Sequence, residues 1–194
     1  MAPQRSPGQR AGLNHAQVLA AARGLLVERG LAALTMRGLA QRLAVSPNAL
    51  YSHVENKTSL IDEVLDDVLA QVCAPDTDAA TPADGLQALM ASAHDVLLAH
   101  PDLVPLYLAR QGARGPNAQH LGDIVLNLLA RADVTGPRAR EALRVLIVYT
   151  IGFAAFSTRA DESSRTEPDP SSHELAENFD SGLRWLLAGI TTPR

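Results

Sequence analysis

Polar side chains suited to the recognition of duplex DNA are concentrated in residues 46–53. Asn48 can form two hydrogen bonds to the edge of an adenine, and Pro47 can contact a thymine methyl group. Tyr51 and His53 have the reach and polarity to bond phosphate oxygens, contacts that position a protein on DNA without reading its sequence. These residue types at this spacing predict recognition of duplex DNA rather than catalysis.

The elements needed to present these side chains are those of a helix–turn–helix. Thr35 is a good N-cap for a first helix, and Ser46, which precedes a proline at the first helical position, is a good N-cap for a second. Residues 44–45 form the predicted turn between the two helices. Leu50 and Val54 lie four residues apart, so they share one face of the second helix and pin it to a core.

Charge is unevenly distributed along the 194 residues, whose net charge is −4. Residues 1–57 contain seven basic and two acidic side chains, a net charge of +5, and residues 58–194 carry −9. Such asymmetry is typical of a nucleic-acid-binding segment joined to an acidic body, although chance segregation gives the same pattern. Residues 1–12 lack periodicity and are predicted to be a disordered arm, which either carries Arg5 and Arg10 to DNA or is a solvated tail.

The composition predicts an all-α fold. Apolar residues make up 46% of the chain and aromatic residues 4%, and the abundance of alanine and leucine favours helix over sheet. No segment has the alternating pattern of a strand. Helices are predicted at about residues 14–29, 35–43, 47–54, 57–72, 84–99, 102–110, 117–132, 137–159 and 172–190.

Several other classes of protein are disfavoured. The single Cys73 excludes an internal disulfide framework, and its place at an apolar helix end predicts a buried or part-buried, inert thiol rather than a redox sensor. A phosphate-binding glycine loop, a nucleophile elbow and a metal-binding histidine spacing are missing from the sequence, so no enzyme, cofactor or metal site is expected. No signal-like run and no apolar stretch of about 18 residues is present, which predicts a cytoplasmic protein without a membrane span.

Residues 14–69 resemble the DNA-binding domain of the TetR (tetracycline repressor) family of bacterial transcription regulators. The resemblance is carried by the segment ERGLAALTMRGLAQRLAVS and by NALYSHVENKTSL, in which Leu-Tyr-x-His-Val is followed by Asn-Lys and an apolar helix. It implies a helix–turn–helix DNA-binding domain at residues 13–57, a connecting helix at 57–72, and a C-terminal helical ligand-binding and dimerisation domain at 73–194.

The resemblance also assigns DNA contacts residue by residue. The residues that would face base edges are Arg37, Pro47, Asn48 and Ser52. The residues that would hold the DNA backbone are Thr35, Ser46, Tyr51, His53 and Lys57. Ser52 stands where relatives often carry a bulky aromatic residue, so the operator preference of a relative cannot be transferred. The alternative is that Tyr51 and His53 only cover a surface and that Arg37 is a solvated charge.

In the C-terminal domain the resemblance implies a homodimer interface and a cavity for a small-molecule effector. Apolar stripes on the last two long helices favour dimerisation there, unless they serve only the chain's own core. The interface residues would be Leu143, Ile147, Ile151, Phe179, Leu183, Leu186 and Leu187. The cavity would be lined by Met90, His94, Leu97, Leu106, Tyr107, Arg110, Tyr149, Phe153 and Phe156. No histidine stands where tetracycline repressors hold a drug–metal chelate, so metal-dependent tetracycline sensing is not expected. The expected ligand is a small apolar or amphipathic molecule.

The function expected from these features is repression. A homodimer would bind a pseudo-palindromic DNA operator and would be released by an unidentified small-molecule effector, with the helix at 57–72 as the lever between the two domains. A transcriptional activator, a ligand-independent regulator of the same fold and a non-DNA interaction module are the alternatives.

Overall fold

The computed structural model describes residues 13–75, 81–162 and 172–192, and every regular element among them is a helix. The predicted all-α fold is therefore confirmed. The predicted arm at residues 1–12 lies outside the described residues.

The helices follow one another along the chain, and a 3-10 turn at Pro101–Leu103 precedes the sixth. They are α1 (His15–Ala33), α2 (Met36–Arg42), α3 (Pro47–Leu50), α4 (Lys57–Leu69), α5 (Pro82–Leu98), α6 (Val104–Arg110), α7 (Pro116–Arg131), α8 (Gly136–Glu162) and α9 (Ser172–Thr191). The chain divides between Val64 and Leu65, inside α4, into two compact units. The domain boundaries at residues 57 and 72 stay predictions.

Local chemistry fixes both ends of α1. The Asn14 side chain accepts the N–H of Gln17 at 2.8 Å, and the Gln17 side chain accepts the N–H of Asn14 at 3.0 Å, a reciprocal capping box. Gly30 has a φ of 73°, a left-handed conformation that glycine adopts without steric cost, and it ends the regular part of α1 as predicted. A single further turn then leads to Ala33.

Several helices differ in length from their sequence-based bounds, and α4, predicted to reach residue 72, ends at Leu69. Helix α3 ends at Leu50 instead of continuing to Val54, and residues 51–53 form turns. The Ser52 hydroxyl donates to the Ala49 carbonyl at 2.8 Å, a local partner that competes with the helical hydrogen-bond ladder. Helix α8 continues beyond residue 159 to Glu162.

The first unit is built on an apolar face of α1. Its buried side chains recur at the three- and four-residue spacing of a helix and are Val18, Leu19, Ala22, Leu25 and Leu26. Leu39 from α2, Leu50 from α3 and Leu60 from α4 are fully buried in the same unit. Burial of each such side chain contributes about 1.5–3 kcal/mol, which holds the short helices in place.

The second unit surrounds α5, which packs against α7, α8 and α9. Its core contains a cluster that includes Leu89 of α5, Leu128 of α7, Leu146 of α8 and Phe179 of α9. Cys73, just after α4, is exposed, so the predicted burial of its thiol is wrong. The Cys73 N–H donates to Ser92 Oγ at 2.9 Å, which fixes the backbone there while the side chain points away from the core.

Helix α8 combines an apolar composition with incomplete burial. Its segment Gly136–Thr158 is long and apolar enough to cross a membrane by length and composition alone, a test that core helices of soluble proteins also pass. Only 22% of the tested window is buried within the chain, because one side packs on its neighbours and the other faces outward. The outward side is therefore an apolar surface without a covering element in the described chain.

Candidate nucleic-acid interface and helical-body cavity

The helix–turn–helix is fixed by two caps and one left-handed residue. Thr35 Oγ1 accepts the N–H of Gly38 at 3.0 Å at the start of α2, and Ser46 Oγ accepts the N–H of Ala49 at 3.4 Å at the start of α3. Ala44, with a φ of 53°, turns the chain sharply between the two helices. The capping and turn predictions are thereby confirmed. Both hydroxyls accept in these caps, so each keeps its proton for an outside acceptor.

Helix α3 has one side that faces the core and another that faces outward. Leu50 is fully buried and Val54 nearly so, as the four-residue spacing predicted. Pro47 and Asn48 are exposed on the first turn of α3, and 54% of the Tyr51 surface is exposed just after it. The apolar, amide and phenol groups predicted to meet DNA are therefore available on one short segment.

The two arginines of α2 have different environments. Arg42 forms two hydrogen bonds of 2.6 Å with the Glu28 carboxylate, and this pairing raises the pKa of Arg42 and lowers that of Glu28. Arg37 is exposed and forms no ion pair with any described residue. Arg37 therefore carries the positive charge of α2 that an outside anion or a base edge can bind.

Two other predicted DNA contacts already have partners inside the chain. Lys57 Nζ donates to the Leu31 carbonyl at 3.2 Å and so caps the end of α1. It keeps two further N–H donors for a phosphate. The Ser52 proton is used by the Ala49 carbonyl, so the Ser52 oxygen is left as an acceptor.

His53 is half-buried, and its backbone is held by a residue that the sequence did not indicate. His15 Nδ1 lies 3.2 Å from the His53 carbonyl oxygen, and His15 Nε2 lies 2.9 Å from a Glu63 carboxylate oxygen. Both ring nitrogens of His15 therefore lie close to oxygen atoms. This ring ties the start of α1 to the turn after α3 and to α4. The only sequence signal was a histidine directly after the cap of α1.

The second unit contains a cavity of about 160 Å³. It is lined by side chains from α4 to α8 and the segment after α6, which are Leu69, Met90, Ala93, Leu97, Tyr107, Gln111, Gly112, Ala113, Ala118, Leu121, Gly122, Val125, Leu143, Ile147, Thr150 and Ile151. None of these described lining residues is charged. The cavity therefore favours an uncharged, mainly apolar molecule.

Two of the three polar lining side chains use their hydroxyl protons internally. Tyr107 donates to the Leu65 carbonyl at 2.6 Å, and Thr150 donates to the Leu146 carbonyl at 2.9 Å. Burial raises the pKa of the Tyr107 phenol, so the donor stays protonated. The amide of Gln111 remains as the third polar group at the wall of the cavity.

The C-terminal end of α4 is held by the start of α7. The carboxylate of Asp66, which is 4% exposed, accepts the backbone N–H of Asn117 at 3.1 Å and that of Ala118 at 2.8 Å. An acidic group at a helix N-terminus satisfies otherwise unpaired donors and complements the helix dipole. A Cβ at Gly115 would collide with this carboxylate, so the glycine permits the close approach.

Comparison with known proteins decides the family. Residues 18–64 match the family described as bacterial regulatory proteins, tetR family, and residues 74–177 match the tetracyclin repressor-like C-terminal domain. The chain belongs to the TetR family. Members of this family are helix–turn–helix transcriptional regulators and not enzymes, so this chain is a DNA-binding transcriptional regulator.

Three relatives illustrate the similarity. An HTH-type transcriptional regulator of Saccharopolyspora erythraea is 29% identical over 97% of this chain and 89% of its own length. The Streptomyces coelicolor TetR family protein ActR, in complex with (S)-DNPA, is 27% identical with a TM-score of 0.76, covering 93% of this chain and 98% of that one. BioQ with its natural double-stranded DNA operator is 27% identical with a TM-score of 0.75, covering 93% and 99%.

The nine residues predicted to line a TetR-family ligand cavity are distributed over several places. Met90, Leu97 and Tyr107 line the cavity of about 160 Å³. The other six lie elsewhere in the described chain, and they are His94, Leu106, Arg110, Tyr149, Phe153 and Phe156. The sequence showed which helices are apolar but not which side of each helix borders the cavity. The small residues Ala118 and Gly122, which leave space on the inner face of α7, were the signal that could have located it.

The aromatic members of that set pack together beside α9. The His94 ring stacks on Phe179 with centroids 4.0 Å apart, and Tyr149 donates its hydroxyl to the Phe179 carbonyl at 2.8 Å. Phe153 meets Phe179 edge-on at 5.4 Å, while Phe156 is 59% exposed. Apart from the exposed Phe156, these rings pack around Phe179 and do not line the cavity of about 160 Å³.

Most of the seven residues predicted to form the dimer interface instead pack inside the protomer. Ile151, Phe179, Leu183 and Leu187 are buried in the chain's own unit, and Leu186 is half-buried. Leu143 and Ile147 line the cavity. Apart from Ile147, which is 36% exposed, the prediction chose the inner sides of α8 and α9, because a broad apolar stripe does not show which part of it meets the chain's own core.

The outward sides of the same two helices carry large exposed apolar side chains. Val148 and Phe156 on α8 are 70% and 59% exposed, and Trp185 on α9 is 78% exposed. Gly152, also exposed, lies between Val148 and Phe156 on α8, and the exposed Gly189 lies four residues after Trp185 on α9. Small residues of this kind permit the close approach of another helix.

Proposed function

We propose that this TetR-family regulator is a repressor, which binds a pseudo-palindromic operator as a homodimer and dissociates when a small apolar molecule occupies the cavity of about 160 Å³. The observation that carries the proposal is the exposed group of Arg37, Pro47, Asn48 and Tyr51 on a capped helix–turn–helix. The solved relatives bound to (S)-DNPA and to an operator support the ligand-binding and DNA-binding halves respectively.

DNA recognition in this proposal divides between bases and backbone. Asn48 reads an adenine and Arg37 a guanine through paired hydrogen bonds, while Pro47 contacts a thymine methyl group. Tyr51 and the remaining donors of Lys57 bind phosphate oxygens. The hydroxyls of Thr35 and Ser46 donate hydrogen bonds to the DNA backbone, and the Ser52 oxygen accepts a hydrogen bond from a base.

The effector of this proposal is uncharged and carries at most one polar group. The described wall of the cavity is apolar except for two hydroxyls engaged internally and the Gln111 amide. A cavity of about 150 Å³ holds a molecule the size of benzene, which sets the size expected of this ligand. No metal or cofactor is required to explain such binding.

Coupling between ligand and DNA would pass through α4. Leu69 and Tyr107 border the cavity, Tyr107 bonds the Leu65 carbonyl, and Asp66 bonds the start of α7. A ligand that changes the position of Tyr107 or of α7 therefore acts directly on the last turns of α4. Because α4 continues without a break to Lys57 in the first unit, the change is transmitted along one helix. The ligand shifts the population toward dimers whose DNA-binding units no longer fit two successive major grooves, about 34–36 Å apart.

The homodimer is proposed to form through the outward sides of α8 and α9. Two such helices from each chain make a four-helix interface, and Val148, Phe156 and Trp185 supply its apolar contacts. A regulator that acts on operator DNA works in the bacterial cytoplasm, and we propose that location here.

The proposal is tested by fluorescence anisotropy with the full-length protein. The labelled duplex covers the intergenic DNA beside its gene, and a scrambled duplex of equal length is the control. We expect a preference of about a thousandfold or more for the intergenic duplex, and a steep loss of affinity between about 50 and 200 mM salt. Equal affinity for the two duplexes, or affinity that does not change with salt, would contradict it.

A further inference from the structure

A second cavity lies between α5, α8 and α9. Its volume is about 290 Å³, and its wall includes His94 and Leu98 of α5, Ser157 and Thr158 of α8, and Leu175 of α9. None of its described lining residues also lines the cavity of about 160 Å³. Any molecule bound there would therefore contact a different set of side chains.

Two buried polar atoms at this second cavity have no hydrogen-bond partner in the described chain. They are His94 Nε2 and Ser157 Oγ. A buried polar atom that has lost water without gaining a partner destabilises the folded protein, so most such atoms are paired. Both atoms belong to residues that line one cavity, so a molecule bound there is a source of the missing partners.

The His94 ring is held in place by aromatic neighbours. It stacks on Phe179 at a centroid distance of 4.0 Å and an interplanar angle of 8°, and it meets Phe153 edge-on at 5.8 Å. Burial lowers the pKa of His94, so the ring stays neutral, with one nitrogen donating and the other accepting. The acidic neighbours Asp95 and Asp180 act in the opposite direction but more weakly.

We propose that the α5–α8–α9 cavity binds an uncharged apolar ring system that carries one hydroxyl group. A hydroxyl both donates and accepts, so a single group can pair with His94 Nε2 and with Ser157 Oγ. The apolar side chains of Leu98 and Leu175 contact the rings. The volume is about twice that of a cavity that holds benzene, which corresponds to two fused rings.

The test uses 1-naphthol as the probe and the full-length protein. Its affinity is measured by isothermal titration calorimetry, and contact with His94 by the 15N chemical shifts of histidine-labelled protein. We expect 1-naphthol to shift the His94 ring signals and to bind at least tenfold more tightly than naphthalene, which lacks the hydroxyl. His94→Phe and Ser157→Ala are each expected to weaken the binding of 1-naphthol at least tenfold. Neither substitution is expected to change the affinity for naphthalene.

Matched variants separate this site from the proposed effector cavity. His120→Phe, at an exposed histidine of α7, and Gly122→Leu, in the cavity of about 160 Å³, are expected to keep wild-type affinity for 1-naphthol. His94→Phe removes an unpaired atom, so its melting temperature is expected to match or exceed that of the wild type, and lost binding will not reflect unfolding. Wild-type affinity in both His94→Phe and Ser157→Ala, loss of affinity in Gly122→Leu alone, or no binding by the wild-type protein would overturn the proposal.

Discussion

Two arginines on α2 show how contacts inside the protein determine whether a side chain is available to bind DNA. Arg37 and Arg42 are both exposed cations on the same short helix. The Arg42 guanidinium is bound at two points by Glu28, whereas Arg37 has no ion-pair partner among the described residues. The sequence shows how many charges this segment carries. It does not show which of them are already paired, because Glu28, the partner of Arg42, lies on a different helix, α1.

The first prediction concerns these two arginines. Arg37→Ala is expected to weaken operator binding by about 1–3 kcal/mol, roughly 5- to 150-fold, and to relax the preference at one base pair, because a paired contact to a base edge is lost. Arg42→Ala, the matched control, is expected to keep operator affinity within about threefold. Anisotropy against operators with single base changes measures both effects. Equal weakening of binding to all these operators would instead show that Arg37 contacts the DNA backbone.

The second prediction concerns the buried His94. Because burial lowers its pKa from 6.5, the unfolded chain takes up a proton as the pH falls through about 6.5 while the native ring stays neutral. Its contribution to stability is therefore present above pH 6.5 and is lost as the pH falls toward the native pKa. Urea unfolding between pH 7.5 and pH 5 is expected to show a smaller loss of stability in His94→Phe than in the wild type.

The control for this pH effect is His120→Gln, which removes an exposed histidine from α7. It is expected to follow the wild-type pH curve. A His94→Phe curve that also parallels the wild type would show that His94 is protonated equally in the folded and unfolded states.

At the scale of helices, local signals in the sequence predicted the starts of the elements well. Asn14, Thr35 and Ser46 are caps in the structure as predicted, because a cap depends on only three or four neighbouring residues. The surfaces of the helices were harder to assign. An apolar stripe indicates burial but not the neighbour that causes it, so Phe179 and Leu183 were placed at an interface although they pack in the protomer core.

The third prediction is made for α7, whose Gly122 borders the cavity of about 160 Å³. A Cβ at this position would meet only the Leu143 side chain, at 3.9 Å, so Gly122→Leu places a side chain in the cavity without a backbone clash. Replacing glycine by leucine also stabilises the helix, by somewhat less than about 1 kcal/mol. The variant is expected to melt at a higher temperature than the wild type and to lose binding of small apolar probes.

Toluene serves as the probe in a thermal-shift measurement. At ten times its Kd it is expected to stabilise the wild type by about 1.4 kcal/mol, which raises the melting temperature by roughly 3–6 °C. Gly122→Ala, which adds one methyl group, is the control and should keep most of this response. A full toluene response in Gly122→Leu would show that the probe binds elsewhere.

The whole molecule is proposed to be a dimer whose interface uses the outward sides of α8 and α9. Val148 and Trp185 expose 70% and 78% of their surfaces in the protomer. A patch of this kind on the last two long helices is consistent with an obligate partner, since large exposed apolar surfaces are uncommon on soluble monomers.

The fourth prediction uses Trp185, the single tryptophan of the chain, as a reporter. Light scattering is expected to give twice the 20.6 kDa chain mass for the wild type and the chain mass for Val148→Arg. The Trp185 emission maximum should move to longer wavelength in Val148→Arg, because the indole becomes solvated. Leu108→Arg, at a 43% exposed position on α6, is the control and should stay dimeric. A dimeric Val148→Arg would place the interface elsewhere.

The central claim is that the exposed end of α3 reads operator DNA, and the most direct measurement is the operator affinity of Asn48→Ala combined with Tyr51→Ala. Both side chains are exposed, so the double variant is expected to retain the wild-type melting temperature. The control is Asn127→Ala combined with Gln119→Ala, two exposed positions on α7. We predict an affinity at least about a hundredfold weaker for the first pair, from one base contact and one phosphate contact, and no change for the second. Wild-type affinity in the Asn48→Ala, Tyr51→Ala protein would contradict the assignment.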